Sequence, residues 1–147
     1  MLKGIDPLLN AEVLHALRSM GHGDDLVIVD TNFPASSVAK LTSWGKLLRI
    51  DAPAARVAEA ILSVYPLDTF VDDTVARMEV VGDPDRLEPV QQEVKEKIDA
   101  VGDFTLNSIE RYAFYERAKN AFAVIQTGER RFYGCFALRM GVVAPDE

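Results

Sequence analysis

Four consecutive apolar residues, Leu26-Val27-Ile28-Val29, follow Gly21-His22-Gly23-Asp24-Asp25 and close on Asp30. The run is short, continuous and rich in β-branched side chains, the pattern of a strand buried on both faces. Such a strand needs a sheet with apolar cover, and segments of helical spacing supply it. Asn10 stands where it can cap a helix reaching about Met20, with Val13, Leu14, Leu17 and Met20 on one side. His15 and Ser19 fall on the other side, so His15 reads as a solvated surface residue. Pro53 opens a second helix, with Asp51 as candidate cap and Val57, Ala58, Ile61, Leu62 and Tyr65 as its apolar face; Pro66 ends it. Gly82-Asp83-Pro84-Asp85 reads as a turn and helix start, and Leu87, Val90, Val94, Ile98 and Val101 mark a third amphipathic helix that Gly102 closes. Arg111 to Asn120 is a further helical segment. Extended segments are expected at Leu47 to Ile50, at Val75 to Val81 (Arg77 and Glu79 alternating with apolar neighbours), at Ala121 to Gln126 and at Phe132 to Val143. Thr127 to Arg131 reads as a turn. The mixture predicts an α/β fold: one domain over residues 1–147, with a mixed central sheet flanked by helices.

Charge and cysteine usage narrow the function classes. The 147 residues carry a net charge of -7, and no Lys/Arg cluster interrupts the acidic balance, which argues against a nucleic-acid partner. Cys135 is the only cysteine, so no intrachain disulfide forms and a reducing compartment fits. The N-terminal residues lack the apolar core of a signal peptide, and no apolar run approaches the ~20 residues of a membrane span. A soluble, cytoplasmic protein without a membrane partner is the expectation. There is no GxGxxG or P-loop pattern, and the two histidines have no neighbouring cysteine, so neither a nucleotide cofactor nor a Cys/His metal site is expected.

The chemistry centres on His22. Two flanking glycines free the backbone and remove side chains that would crowd a ligand. Histidine is the side chain that most readily gives and takes a proton near neutral pH. The plainer alternative is a glycine C-cap followed by a solvated turn. Asp24 either orients His22 or caps the turn, and Asp25 reads as solvated. Asp30 either caps backbone N–H groups at the strand end or accepts hydrogen bonds from a ligand, with His22 in an open turn beside it. Arg111 is either paired with Glu110 or Glu116 or free to hold a ligand with its planar donors. Tyr112, Phe114 and Tyr115 are core, subunit-contact or ligand-stacking aromatics. Arg117 reads as a surface or interface charge.

Several blocks together resemble the L-fucose mutarotase family, related to the D-ribose pyranases. They are Met20-Gly21-His22-Gly23-Asp24, Asp30-x-Asn32-Phe33-Pro34-Ala35-x-Ser37, Ile109 to Ala118, Ala121 to Val124, Thr127-Gly128-Glu129 and Tyr133-Gly134. The resemblance runs over nearly the whole chain in the family's order. It implies a ribose pyranase/fucose mutarotase-like fold and a cofactor-independent isomerase acting on a monosaccharide. His22 would be the proton donor and acceptor. Asp30, Arg111 and the Tyr133-Gly134-Cys135 segment would hold the sugar. The resemblance also implies a homo-oligomeric ring, commonly a decamer in that family, with the pocket completed by a neighbouring subunit. The family commonly has asparagine where this chain has Cys135; a thiol cannot reproduce an amide's hydrogen-bonding set, so either the backbone there makes the contact or sugar preference shifts. The competing readings are a pyranase that interconverts ring sizes of ribose-like sugars and a monosaccharide-binding module without catalysis.

Overall fold

A computed structural model describes all 147 residues, Met1–Glu147. Five helices and six strands follow one another as α1 (Ala11–Ser19), β1 (Asp25–Val29), α2 (Ala35–Ala39), β2 (Leu48–Ile50), α3 (Ala54–Leu62), β3 (Val75–Met78), α4 (Pro89–Asp99), β4 (Leu106–Ile109), α5 (Arg111–Lys119), β5 (Ala123–Thr127) and β6 (Phe136–Arg139). The strands form one sheet in the order β2-β5-β1-β6-β3-β4. β1 pairs in parallel with β5, which pairs in parallel with β2. β6 runs antiparallel to both β1 and β3, and β4 continues parallel to β3. The sheet is therefore mixed, with the apolar run of β1 near its centre.

Apolar alternation along β1 feeds two cores. Leu26 and Ile28 pack with α1, α3 and α4 residues, including Val13, Ile61 and Val94. Val27 and Val29 pack with α2 and α5, against Val38 and Phe114. Each fully buried large aliphatic side chain contributes about 1.5–3 kcal/mol, which explains why this strand is apolar on both faces. Asn10 caps α1 as expected, accepting from the Val13 N–H at 3.0 Å.

Several sequence expectations are corrected. Asp51 does not cap α3; the Ala54 N–H instead donates to Glu129 Oε2 at 3.3 Å. The third helix starts at Pro89, after the turn that begins at Gly82. Arg77, on β3, is buried, with Gln91 of α4 and the Pro84 carbonyl against its guanidinium. The last strand is confined to Phe136–Arg139, and the residues before it form a bent segment. Asp25 is not solvated, nor is Arg117 a free surface charge: the guanidinium grips the carboxylate at 2.8 and 3.1 Å, and Arg139 joins at 3.2 Å. No helix is long and apolar enough to cross a membrane.

Candidate active site

The C-terminal end of β1 delivers Asp30 to the edge of a cavity of about 350 Å³. Asp30 Oδ1 accepts from the N–H groups of Asn32 and Phe33 at 2.9 and 3.1 Å. Its Oδ2 accepts from the Gly134 N–H at 3.1 Å and from the Cys135 thiol at 3.5 Å. Asp30 thus caps backbone donors and lines the cavity at once. Burial raises its carboxyl above the usual range, while these hydrogen bonds pull it back. Gly134 comes so close that a Cβ there would meet Glu129 Cγ at 2.9 Å and Asp30 Cβ at 3.3 Å.

Arg111, at the start of α5, and Tyr133, from the segment before β6, face the same cavity. Glu110 is not the partner of Arg111; it caps α5 by accepting from the N–H groups of Tyr112 and Ala113. Arg111 Nε donates to the Tyr115 hydroxyl at 3.2 Å, and the guanidinium lies 5.5–5.6 Å from the Tyr112 and Tyr115 ring centres. The Tyr115 hydrogen bond raises the guanidinium further above its ordinary value, so it remains charged. Of the three clustered aromatics, Phe114 is core, Tyr115 lines the cavity and Tyr112 is exposed. Tyr133 is the one non-glycine residue at positive φ, 63°, a conformation costing about 1–2 kcal/mol. Cys135 is buried, and burial followed by the Asp30 charge pushes its thiol well up, so it presents a neutral S–H. Phe33, Met78, Val81 and Phe132 complete the lining with apolar surface.

His22 is elsewhere. It lies before β1, whereas Asp30 lies after it, and five strand residues at about 3.3 Å each put roughly 16 Å between them. The expectation of a histidine beside Asp30 is thereby corrected within one copy of the chain. His22 has its own partner: Nε2 lies 3.1 Å from Asp68 Oδ2, with the histidine side chain 47% exposed and the aspartate 3%. When Nε2 carries the proton it donates to Asp68, and Nδ1 is left to accept one. Asp68 is itself fixed by the Phe70 N–H at 3.0 Å, and the Phe70 ring meets His22 edge-on at 5.5 Å. Asp24 does not orient His22; its Oδ2 accepts from the Gly21 N–H at 2.8 Å and closes the turn. His15 is exposed, edge-on to Trp44. Nothing local in sequence marks Asp68, which lies 46 residues from His22. No three His, Cys, Asp or Glu side chains converge closely enough to hold a metal ion.

Residues 3–143 match the RbsD / FucU transport protein family. A fucose mutarotase of Danio rerio is 43% identical over 155 aligned positions, covering 100% of this chain and 97% of that protein. Among solved structures, a protein provisionally described as sugar binding is 62% identical, with TM-score 0.95 and coverage of 98% of this chain and 97% of that one. The fucose mutarotase of Streptococcus pneumoniae in complex with L-fucose is 34% identical, with TM-score 0.87 and coverage of 97% and 100%.

Proposed function

This chain belongs to the RbsD/FucU family, and from that premise we propose that it is an isomerase interconverting the α and β anomers of L-fucose or a closely similar monosaccharide. The observation that carries this reading is the cavity of mixed polar and apolar lining at the end of β1. Asp30, Arg111 and Tyr133 supply donors and acceptors for hydroxyls, while Phe33, Met78 and Phe132 supply an apolar wall. A deoxyhexose has the same two characters, a ring of hydroxyls and an apolar methyl group.

The reaction asks little of the protein. A base takes the proton of the anomeric hydroxyl, an acid protonates the ring oxygen, and the aldehyde rotates before the ring closes on its other face. No metal, nucleotide or covalent intermediate is required, and a positioned acid–base pair contributes about 10²–10⁴-fold. His22 exchanges the protons through Nδ1. Asp30, Arg111 and the Tyr133-Gly134-Cys135 segment hold the sugar. Because His22 and the cavity sit at opposite ends of β1, the His22 turn of one copy would serve the cavity of the next. A contact between two different patches is heterologous, and it closes into a ring when the rotation permits. Exposed apolar residues at both ends support this: Val81, Tyr112 and Phe132 by the cavity and Arg111, Phe70 against His22. The family resemblance points to ten subunits. A lone, buried, reduced cysteine suits a cytoplasmic setting.

The separation of His22 from the cavity gives a second reading weight for an unassembled copy, which would bind a monosaccharide without turning it over. Saturation-transfer NMR on L-fucose and D-ribose at equilibrium tests both. Faster α/β exchange of fucose, abolished in His22→Asn, is the expected result. Binding without exchange in the assembled protein would leave a sugar-binding module. Selective acceleration of ring-size exchange in ribose would make the protein a pyranase.

A further inference from the structure

Tyr133 holds a backbone conformation that its side chain disfavours, and a buried amide on another element holds it there. Gln91, in the first turn of α4, is completely buried. Its Nε2 donates to the carbonyl of Met78 at 2.8 Å and to that of Tyr133 at 3.2 Å. Its Oε1 accepts from the Glu88 N–H at 3.1 Å and faces Arg77 Nη1 at 3.5 Å. Both donors and both acceptor positions of the amide are thereby used, and the identity of the partners sets which way it faces. Arg77 is itself buried and tied to the Pro84 carbonyl at 2.8 Å, so the oxygen side of the amide is fixed from behind. Met78 and Tyr133, the two residues whose carbonyls Gln91 grips, both line the cavity.

The segment beyond Tyr133 has only a few other anchors. The Tyr133 hydroxyl accepts from the Val81 N–H at 3.2 Å, Gly134 donates to Asp30, and the Cys135 carbonyl accepts from the Met78 N–H at 3.0 Å. We propose that Gln91 is a positioning residue for the sugar cavity, acting through the Tyr133 carbonyl to hold the Tyr133–Cys135 wall in its binding shape. It touches no substrate and moves no proton. Its effect belongs in sugar affinity rather than in the maximal rate that His22 sets. The inference rests on the reading of this cavity as the sugar site.

Gln91→Glu separates the two halves of the amide. A carboxylate keeps an acceptor for Glu88 and Arg77, and so keeps the start of α4, but it cannot donate to Met78 or Tyr133. Two readouts are needed, amide hydrogen exchange at Val81 and Gly134 without sugar, and the concentration dependence of fucose anomer exchange. The expected result is lost protection at both amides and an apparent affinity weakened by about tenfold, with the maximal exchange rate nearly unchanged. Should Q91E fail to fold, Gln91→Met, of similar shape, takes its place with the same two readouts. Full protection at Val81 and Gly134 in a folded variant would overturn the proposal, as would lost protection with unchanged affinity. If the parent protein accelerates no sugar's exchange and binds none while the variant still loses protection, the functional reading fails and the role of Gln91 in holding the segment stands.

Discussion

Gly134→Ala is the single-methyl change that the site should tolerate least. The new Cβ would stand 2.9 Å from Glu129 Cγ and 3.3 Å from Asp30 Cβ. Neither neighbour is free to yield. Glu129 accepts from the N–H groups of Ala54, Arg130 and Arg131 and from the Arg131 guanidinium. Asp30 is held by Asn32 and Phe33. The segment must back away, lengthening the 3.1 Å bond from the Gly134 N–H to Asp30. Overpacking a rigid site costs about 1–3 kcal/mol. Losing a hydrogen bond to a charged group costs about 1.5–3 kcal/mol. These are two ways of relieving one clash, so the expected loss is about 2–3 kcal/mol rather than their sum. For a chain of this size that lowers the melting temperature by about 4–12 °C. Calorimetry gives the melting shift, and fucose titration should show weaker binding because the cavity wall has moved. A variant that melts with the parent and binds fucose equally well would show that the approach of Gly134 to Asp30 carries no energy.

Acid titration tests the Glu129 hub: its carboxyl is held at about 2 against an ordinary 4.5, chiefly by Arg131. A lowered acid stabilises the fold above its unfolded value and loses that contribution as pH falls, here about 3 kcal/mol between pH 4.5 and about 2. Asp30 has the opposite sign, since burial raises its carboxyl and its ionisation weakens the fold as pH rises past 3.8. Glu129→Gln should therefore flatten the acid limb of urea midpoints; parallel limbs in parent and variant would exclude the hub. Asp68→Asn should lower the maximal anomer-exchange rate while leaving fucose affinity unchanged, because Asp68 contacts His22 and not the cavity; a change confined to affinity would contradict this. Cys135→Asn should alter rates modestly and keep the ranking of sugars, because the neutral thiol is turned toward Asp30 and the backbone supplies the contacts; a reordered ranking across fucose, ribose, rhamnose and galactose would give the side chain that role.

Strong, local periodicity made part of this fold legible. The β1 run and the apolar faces of α3 and α4 were readable because each element buries its own pattern. α2 was not, being five residues long with no room for a repeat. β4 was not, because an edge strand bearing Asn107 and Ser108 has little alternation to show. Long-range partners were invisible: Asp25 looked solvated until Arg117, 92 residues away, closed on it. The site followed the same rule. Asp30, Arg111, Tyr133 and Cys135 meet in one cavity, but His22 does not join them within one copy. Eight positions of sequence suggested proximity, whereas an intervening strand is the most extended way to spend those residues. His22, the partner of Asp68, lies 46 residues away, and of the Gln91 contacts only that with the Glu88 N–H is local, while Met78 and Tyr133 belong to other segments.

The claim that one copy's His22 serves another copy's cavity is best tested by mixing two crippled proteins. His22→Asn keeps an intact cavity, and Arg111→Ala keeps an intact His22 turn. Unfolded together and reassembled in equal amounts, they should form sites that pair the sound half of each at about a quarter of interfaces, as random heterologous assembly dictates. Saturation-transfer NMR at low fucose should then show exchange approaching a quarter of the parent rate, well above either variant alone. A mixture no faster than the average of the two separate variants would contradict a site shared between copies.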